Sequence, residues 1–127
     1  MTDFDSTQPV SADTIVVRRA DTTAVVCSRA RRANTFLSRL VGLLGRRHME
    51  AEEGLYIVPC SGVHTFGMSM KIDVVTLDAN LRVLAVYENT PPWVVRGVSL
   101  RTRSVLELAA GRALACRIEP GDQLALV

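Results

Sequence analysis

Most of the residues that could do chemistry lie between positions 60 and 73, where the chain reads Cys-Ser-Gly-Val-His-Thr-Phe-Gly-Met-Ser-Met-Lys-Ile-Asp. His64 follows Cys60 by four residues, a spacing at which a neutral imidazole and a thiolate can share a metal ion. Such a site would need further ligands, and Asp73 and Glu107 are the candidates. A single Cys-x3-His without a second pair is a weak zinc signal, so no metal and no cofactor is expected. Asp73 stands directly before Val74-Val75, and Glu107 sits inside Val-Leu-Glu-Leu. Asp is depleted in strands, and a carboxylate there costs desolvation unless it is paired. Either could be a general acid or base with a raised pKa. The role expected of both is the other one, accepting hydrogen bonds from a turn or an Arg. Met68 and Met70 are spaced for one strand face and read as packing. The other histidine, His48, lies between Arg46-Arg47 and acidic residues and suits a solvated loop.

The elements that would position these residues are mainly strands. Thr14 to Arg18 and Ala24 to Ser28 are β-branched runs around Asp21-Thr22-Thr23, a hairpin pattern. Leu55 to Pro59, Ile72 to Leu77, Leu81 to Tyr87, Val105 to Leu108 and Gln123 to Val127 follow as further strands. Asp78-Ala79-Asn80 should close a hairpin, with Asn80 taking positive φ. Thr90-Pro91-Pro92-Trp93 reads as a stiff connector, and Ala110 to Ala115 as a single helical turn. Trp93, the only Trp, is either an interface anchor or a plug for the end of a barrel. One convincing helix is predicted over about 34–44, where Phe36, Leu37, Leu40, Val41, Leu43 and Leu44 recur at steps of three and four. Asn34 or Thr35 can cap it, and Gly45 can end it. The pattern predicts a mainly β fold, a compact jelly-roll-like sandwich or barrel, with this amphipathic helix packed on it. No alternation of strand, helix and strand is evident, and neither a Walker nor a GxGxxG motif occurs.

The chain has 127 residues, 48% hydrophobic and 22% charged, the balance of one globular domain. Residues 1–12 read as a disordered tail and 13–127 as a single β-rich domain. No apolar run approaches the ~20 residues of a membrane span. The first residues are acidic and polar and lack signal-peptide features, so a cytoplasmic location is expected. From position 14 onward, fifteen basic residues face ten acidic ones, and Lys71 is the only Lys. Six Arg fall within residues 29–47 without an acid among them. Glu50, Glu52 and Glu53 follow at once and no run of aromatic residues alternates with these Arg, so a solvated face is expected there and nucleic acid is not. Three widely spaced Cys argue against a disulfide framework. Cys27 and Cys116 read as small core residues.

From about Ala33 to Val127 the sequence resembles the bacterial and archaeal Domain of Unknown Function 192 family. The resemblance is carried by VGLLGRR (Val41 to Arg47), GLYIVPC (Gly54 to Cys60), VHTFGM (Val63 to Met68), IDVV (Ile72 to Val75), Pro92-Trp93, Leu106-Glu107-Leu108 with Gly111, and Pro120-Gly121-Asp122. Lys71 stands where the family usually has Pro, and Asn80 where a turn Gly is common. The resemblance implies a compact mainly β, jelly-roll-like or barrel-like fold with one helix, and no activity. The family's motif positions here are His64, Thr65, Met68, Asp73, Glu107 and Gly111.

Together these point to a non-catalytic ligand- or protein-binding module that uses the segment from His64 to Asp73 and the rigid loop at Trp93. The alternative is a hydrolytic or metal-assisted enzyme with His64 as base or ligand and Asp73 or Glu107 as its carboxylate. It requires these side chains to meet at the floor of one pocket.

Overall fold

The computed structural model describes residues 14–33 and 46–127; the tail over 1–12 and the helix over 34–44 expected from sequence lie outside the described residues. The strands are β1 (Thr14–Arg19), β2 (Val25–Ala33), β3 (Glu53–Ile57), β4 (Val63–His64), β5 (Ile72–Leu77), β6 (Val83–Thr90), β7 (Val95–Arg96), β8 (Ser104–Ala109) and β9 (Leu124–Leu126). A single turn of helix, α1 (Arg112–Ala115), precedes β9.

Seven strands form one sheet in the order β6-β5-β8-β3-β2-β1-β9, and β4 pairs with β7 in a separate ribbon. The two edge strands of the large sheet meet at one end. Arg82 bridges Gln123, the Val83 amide donates to Asp122 O at 2.8 Å, and the Leu124 amide donates to Leu81 O at 3.0 Å. These bonds curl the sheet into a half-barrel, the barrel branch of the sequence expectation. One pairing departs from that expectation: β2 and β3 run parallel. Parallel neighbours need a crossover of about a dozen residues or more. The connection lies between Ala33 and Glu53 in the chain, and periodicity within each segment does not reveal it.

Both faces of the central strands are covered. Val17, Val26, Tyr56, Val75, Leu77, Leu106, Leu108 and Ala113 pack on one face. Leu55, Ile57, Val63, Met68, Ile72, Val74 and Val105 pack on the other. Every residue of β5 and β8 is buried as a result, which is why these strands read as unbroken apolar runs interrupted only by Asp73, Thr76, Ser104 and Glu107.

Two local expectations need correction. In the turn after β5, the Asp78 carboxylate accepts the amides of Asn80 (2.8 Å) and Arg82 (3.0 Å), and the left-handed residue is Leu81 (φ 63°), not Asn80. The side chain of Asp78 thus organises the turn, and strand β6 begins at Val83 instead of Leu81. It runs on to Thr90, where Pro91 ends the ladder because it has no N–H to donate.

Candidate functional site

Residues 59–72 leave the sheet, cross its second face and return as β5. In β4, Val63 turns inward to the core while His64 is half-buried; Thr65 is fully buried and Phe66 is 43% exposed. The loop beyond β6 mirrors this alternation. Trp93 is 69% exposed, Val94 half-buried and Val95 50% exposed. Antiparallel pairing sets His64 opposite Val95 and Val63 opposite Arg96. Cross-strand partners share a face, so His64, Phe66, Trp93 and Val95 form one outward ledge. The Phe66 ring stacks on Trp93 with centroids 5.8 Å apart and an interplanar angle of 23°, and lies 4.8 Å from the His64 ring.

Thr65 holds the two segments together. Its Oγ1 donates to Pro91 O at 2.7 Å and accepts the Val94 amide at 3.0 Å. Its own amide donates to Val94 O, and its carbonyl accepts the amides of Trp93 and Met68. The imidazole is also fixed: His64 Nδ1 accepts the Phe66 amide at 3.3 Å, which makes Nδ1 the unprotonated nitrogen in this arrangement. Trp93 has φ 67°, a left-handed conformation held by the bond of its amide to Thr65 O and by the bonds of Thr65 to its neighbours Pro91 and Val94.

Beside the ledge lies a cleft of about 510 Å³ lined by Cys60, Ser61, Gly62, His64, Thr102 and Arg103 among others. Its walls are strapped by main-chain bonds from the Cys60 amide to Arg103 O (2.9 Å) and from the Ser99 amide to Ser61 O (3.1 Å). Cys60 Sγ donates to Gly62 O at 2.8 Å. Gly62 is needed there, since a Cβ would come within 2.9 Å of Val98 Cα.

The residues singled out in the sequence separate into distinct places. His64 and Trp93 reach the ledge, Thr65 lies directly beneath it, and Met68 is packed in the core. Asp73 is elsewhere. It pairs with Leu108 across the sheet and faces the barrel interior, where Oδ1 accepts the Asn89 amide and Oδ2 the Ala113 amide, each at 2.9 Å. Glu107 is opposite Leu55 and Val74 and shares their face of the sheet. Asp73 therefore lies across the sheet from Glu107 and from the segment that carries His64. Among the described residues, no group of three or more His, Cys, Asp and Glu side chains is gathered as metal ligands. The exposure of Trp93 also removes the idea that it plugs the barrel end.

Sequence reasoning missed Phe66, Val95, Val98, Leu100 and Arg103 as surface residues of this region. The signal was present: the stretch 91–104 holds five large apolar residues and three Arg without an acid. None of the three cysteines is in a disulfide, and Cys27 is fully buried. No described helix is long and apolar enough to cross a membrane.

Three comparisons bear on this arrangement. Residues 16–126 match the model of the DUF192 family, described as Uncharacterized ACR. The UPF0127 protein PH1112 of Pyrococcus horikoshii is 30% identical over 97 residues, 72% of this chain and 82% of its own. The crystal structure of a protein of unknown function from Novosphingobium aromaticivorans is similar with a TM-score of 0.74, at 24% identity, covering 93% of this chain and 89% of that one. A Sinorhizobium meliloti protein described as a candidate transcription regulator has a TM-score of 0.70 at 20% identity, covering 88% and 91%. At these identities the two solved structures establish the fold.

Proposed function

We propose, from the premise that the chain belongs to the DUF192 family, that it is a non-catalytic binding module whose contact surface is the ledge of His64, Phe66, Trp93 and Val95. The observation that carries this reading is the Phe66–Trp93 stack, exposed yet held by the buried Thr65. A large ring left in water costs hydration free energy, and aromatic side chains pre-positioned on a rigid frame are the usual anchors of an interface. Five of the seven exposed large apolar residues among those described (Phe66, Trp93, Val95, Val98 and Leu100) come from the two segments that build this region. Such clustering marks a binding surface more often than scattered exposure does. The neighbouring cleft offers room for part of a ligand.

The enzyme reading loses support from Asp73, whose two oxygens are engaged by backbone amides across the sheet from His64. What remains for it is His64 and Cys60 at the cleft.

Native mass spectrometry of protein purified gently from its own host tests the reading. Added mass on the wild type that is lost from Phe66→Ala and Trp93→Ala would support it. Added mass that persists in both variants and disappears only from His64→Ala would move the function into the cleft and overturn it.

A further inference from the structure

We infer that the pocket between the β1–β2 hairpin and α1 is a second binding site, one that takes the oxyanion head group, phosphate or carboxylate, of a small molecule. The pocket encloses about 260 Å³ and is lined by Arg19, Val25, Val26, Arg112, Cys116 and Arg117 among others. None of its lining residues belongs to the ledge or the cleft, so it stands apart from the contact surface proposed above. Sites for whole small molecules run to about 300–1,000 Å³. This volume suits a head group.

Two guanidiniums are fixed in the wall. Arg112 Nε donates to Val26 O at 2.9 Å and Nη2 to Val25 O at 3.3 Å. Arg19 Nη1 donates to Arg117 O at 3.0 Å and to Asp122 at 2.9 Å, while its Nε and Nη2 hold Asp21. The two differ in what they still offer. Arg19 meets two carboxylates, and its charge is matched. Arg112 spends one edge of its guanidinium on carbonyls, which bear no charge. Its terminal edge, Nη1 and the second N–H of Nη2, makes no hydrogen bond to a described residue. A free guanidinium edge meets two oxygens of a phosphate or carboxylate at once. The carbonyl bonds hold that edge in place before a ligand arrives, so little side-chain entropy is lost on binding.

Arg117 supplies a second cation. Leu114 O accepts the Arg117 amide and Ala113 O accepts the Ile118 amide, both at 3.0 Å, the bonding that ends a helix on a left-handed residue. Glycine is the usual residue there, but Arg117 occupies the position at φ 55°, where a Cβ is unfavourable. Its side chain is exposed and makes neither an ion pair nor a hydrogen bond among the described residues. Strain kept for a side chain with no partner in the fold points to a partner outside it. The acids nearest in the chain, Asp21, Glu119 and Asp122, do not line the pocket, and Arg19 already holds Asp21 and Asp122. An anion entering the pocket therefore meets two uncompensated guanidiniums, Arg112 and Arg117.

The test follows nitrogen–proton NMR spectra of the full chain during titration with sodium phosphate and, separately, sodium acetate, the ionic strength being held constant with sodium chloride. The expected result is saturating shifts of the Arg112 Nε–H and of the Val25, Val26 and Cys116 amides. Whichever salt saturates them at the lower concentration identifies the head group. Arg117→Gly separates binding from folding. Glycine suits the left-handed position, so this variant should melt at least as high as the wild type. It should nevertheless bind the anion about tenfold more weakly or worse, the loss expected of one charge-assisted hydrogen bond. Arg112→Lys keeps the charge but not the fork and should weaken binding as well.

Shifts that grow linearly with either salt and never saturate overturn the inference. So do saturating shifts that leave these four groups unmoved. Binding unchanged in both Arg117→Gly and Arg112→Lys overturns it too, and a lower melting temperature of Arg117→Gly with unchanged binding would assign Arg117 to the fold instead.

Discussion

Asp73 and Glu107 stand on adjacent strands one position out of register, Asp73 beside Leu108 and Val74 beside Glu107, and so face opposite sides of the same sheet. Two buried carboxylates that the sequence offers as alternative partners of His64 are separated by the sheet itself. Asp73 fastens elements far apart in sequence: it joins β5 to the end of β6 through Asn89 and to α1 through Ala113. Its bond to the Ala113 amide satisfies a donor in the first turn of α1, where Gly111 provides no side-chain cap. Asp73→Ala should cost about 3 kcal/mol, since each buried amide left without a partner costs about 1–3 kcal/mol. Urea denaturation measures this, and a loss below about 1 kcal/mol would mean that water replaces the carboxylate at both amides.

Gly97 has φ 72°, and a Cβ there would lie 2.4 Å from Thr76 Cγ2 in the buried sheet. Gly111, at φ 90°, has open space around it. Gly97→Ala should therefore destabilise the fold clearly more than Gly111→Ala, which bears only the backbone strain of about 1–2 kcal/mol. Thr76→Ser removes the clashing methyl, so the double variant Gly97→Ala/Thr76→Ser should recover part of the loss. Thermal melts of the four proteins decide it, and equal melting temperatures for the two Gly variants would contradict the close approach.

Thr65→Val keeps the shape of the side chain but removes the bonds of Oγ1, leaving the Pro91 carbonyl and the Val94 amide without them. The loop with Trp93 should loosen while the seven-stranded sheet stays intact. Hydrogen exchange would then speed up at Val94 and Trp93, with β5 and β8 unchanged. Trp93 fluorescence anisotropy should fall in parallel.

Acid should weaken the closure of the barrel edge. Arg19 bonds Asp21 at 3.1 Å and Asp122 at 2.9 Å, and this guanidinium holds both carboxyls below their ordinary value of 3.8. The Glu119 amide adds to the effect at Asp122. A carboxyl whose pKa is lower folded than unfolded contributes stability above the unfolded value, and that contribution is lost as pH falls through the folded one. Stability should thus decline from about pH 4 downward, and Arg19→Ala should show a shallower decline than the wild type. Denaturation midpoints between pH 7 and pH 2 test this.

Thiol reactivity should follow burial. Cys27 is fully buried, and burial pushes its thiol up to about 11, so few thiolates form at neutral pH. Cys60 is partly exposed at the cleft. Iodoacetamide at pH 8 should modify Cys60 well before Cys27 in the native protein, and both equally in denaturant. Peptide mapping reads the order, and early labelling of Cys27 would show that the sheet around it opens.

Much of the fold was legible because short strands leave local marks. Val74-Val75 and Val105-Leu106 are the apolar runs of strands covered on both sides, and Pro91-Pro92 and Pro120-Gly121-Asp122 mark breaks between elements. The ribbon of β4 and β7 was not legible. Two residues per strand are too few for periodicity to register, and the ribbon exists because Thr65 ties it together from beneath.

Side-chain preference and spacing along the chain were enough to establish that it is mainly β, where most strands run and which residues would matter. What those residues do was set by the folded arrangement. It assigned Asp73 to the barrel interior through a bond to an amide forty residues away, and it brought Phe66 against Trp93 on an open face. Alternation along a strand defines two faces but cannot say which is covered, and a hydrogen bond between distant segments leaves no periodic trace in either of them.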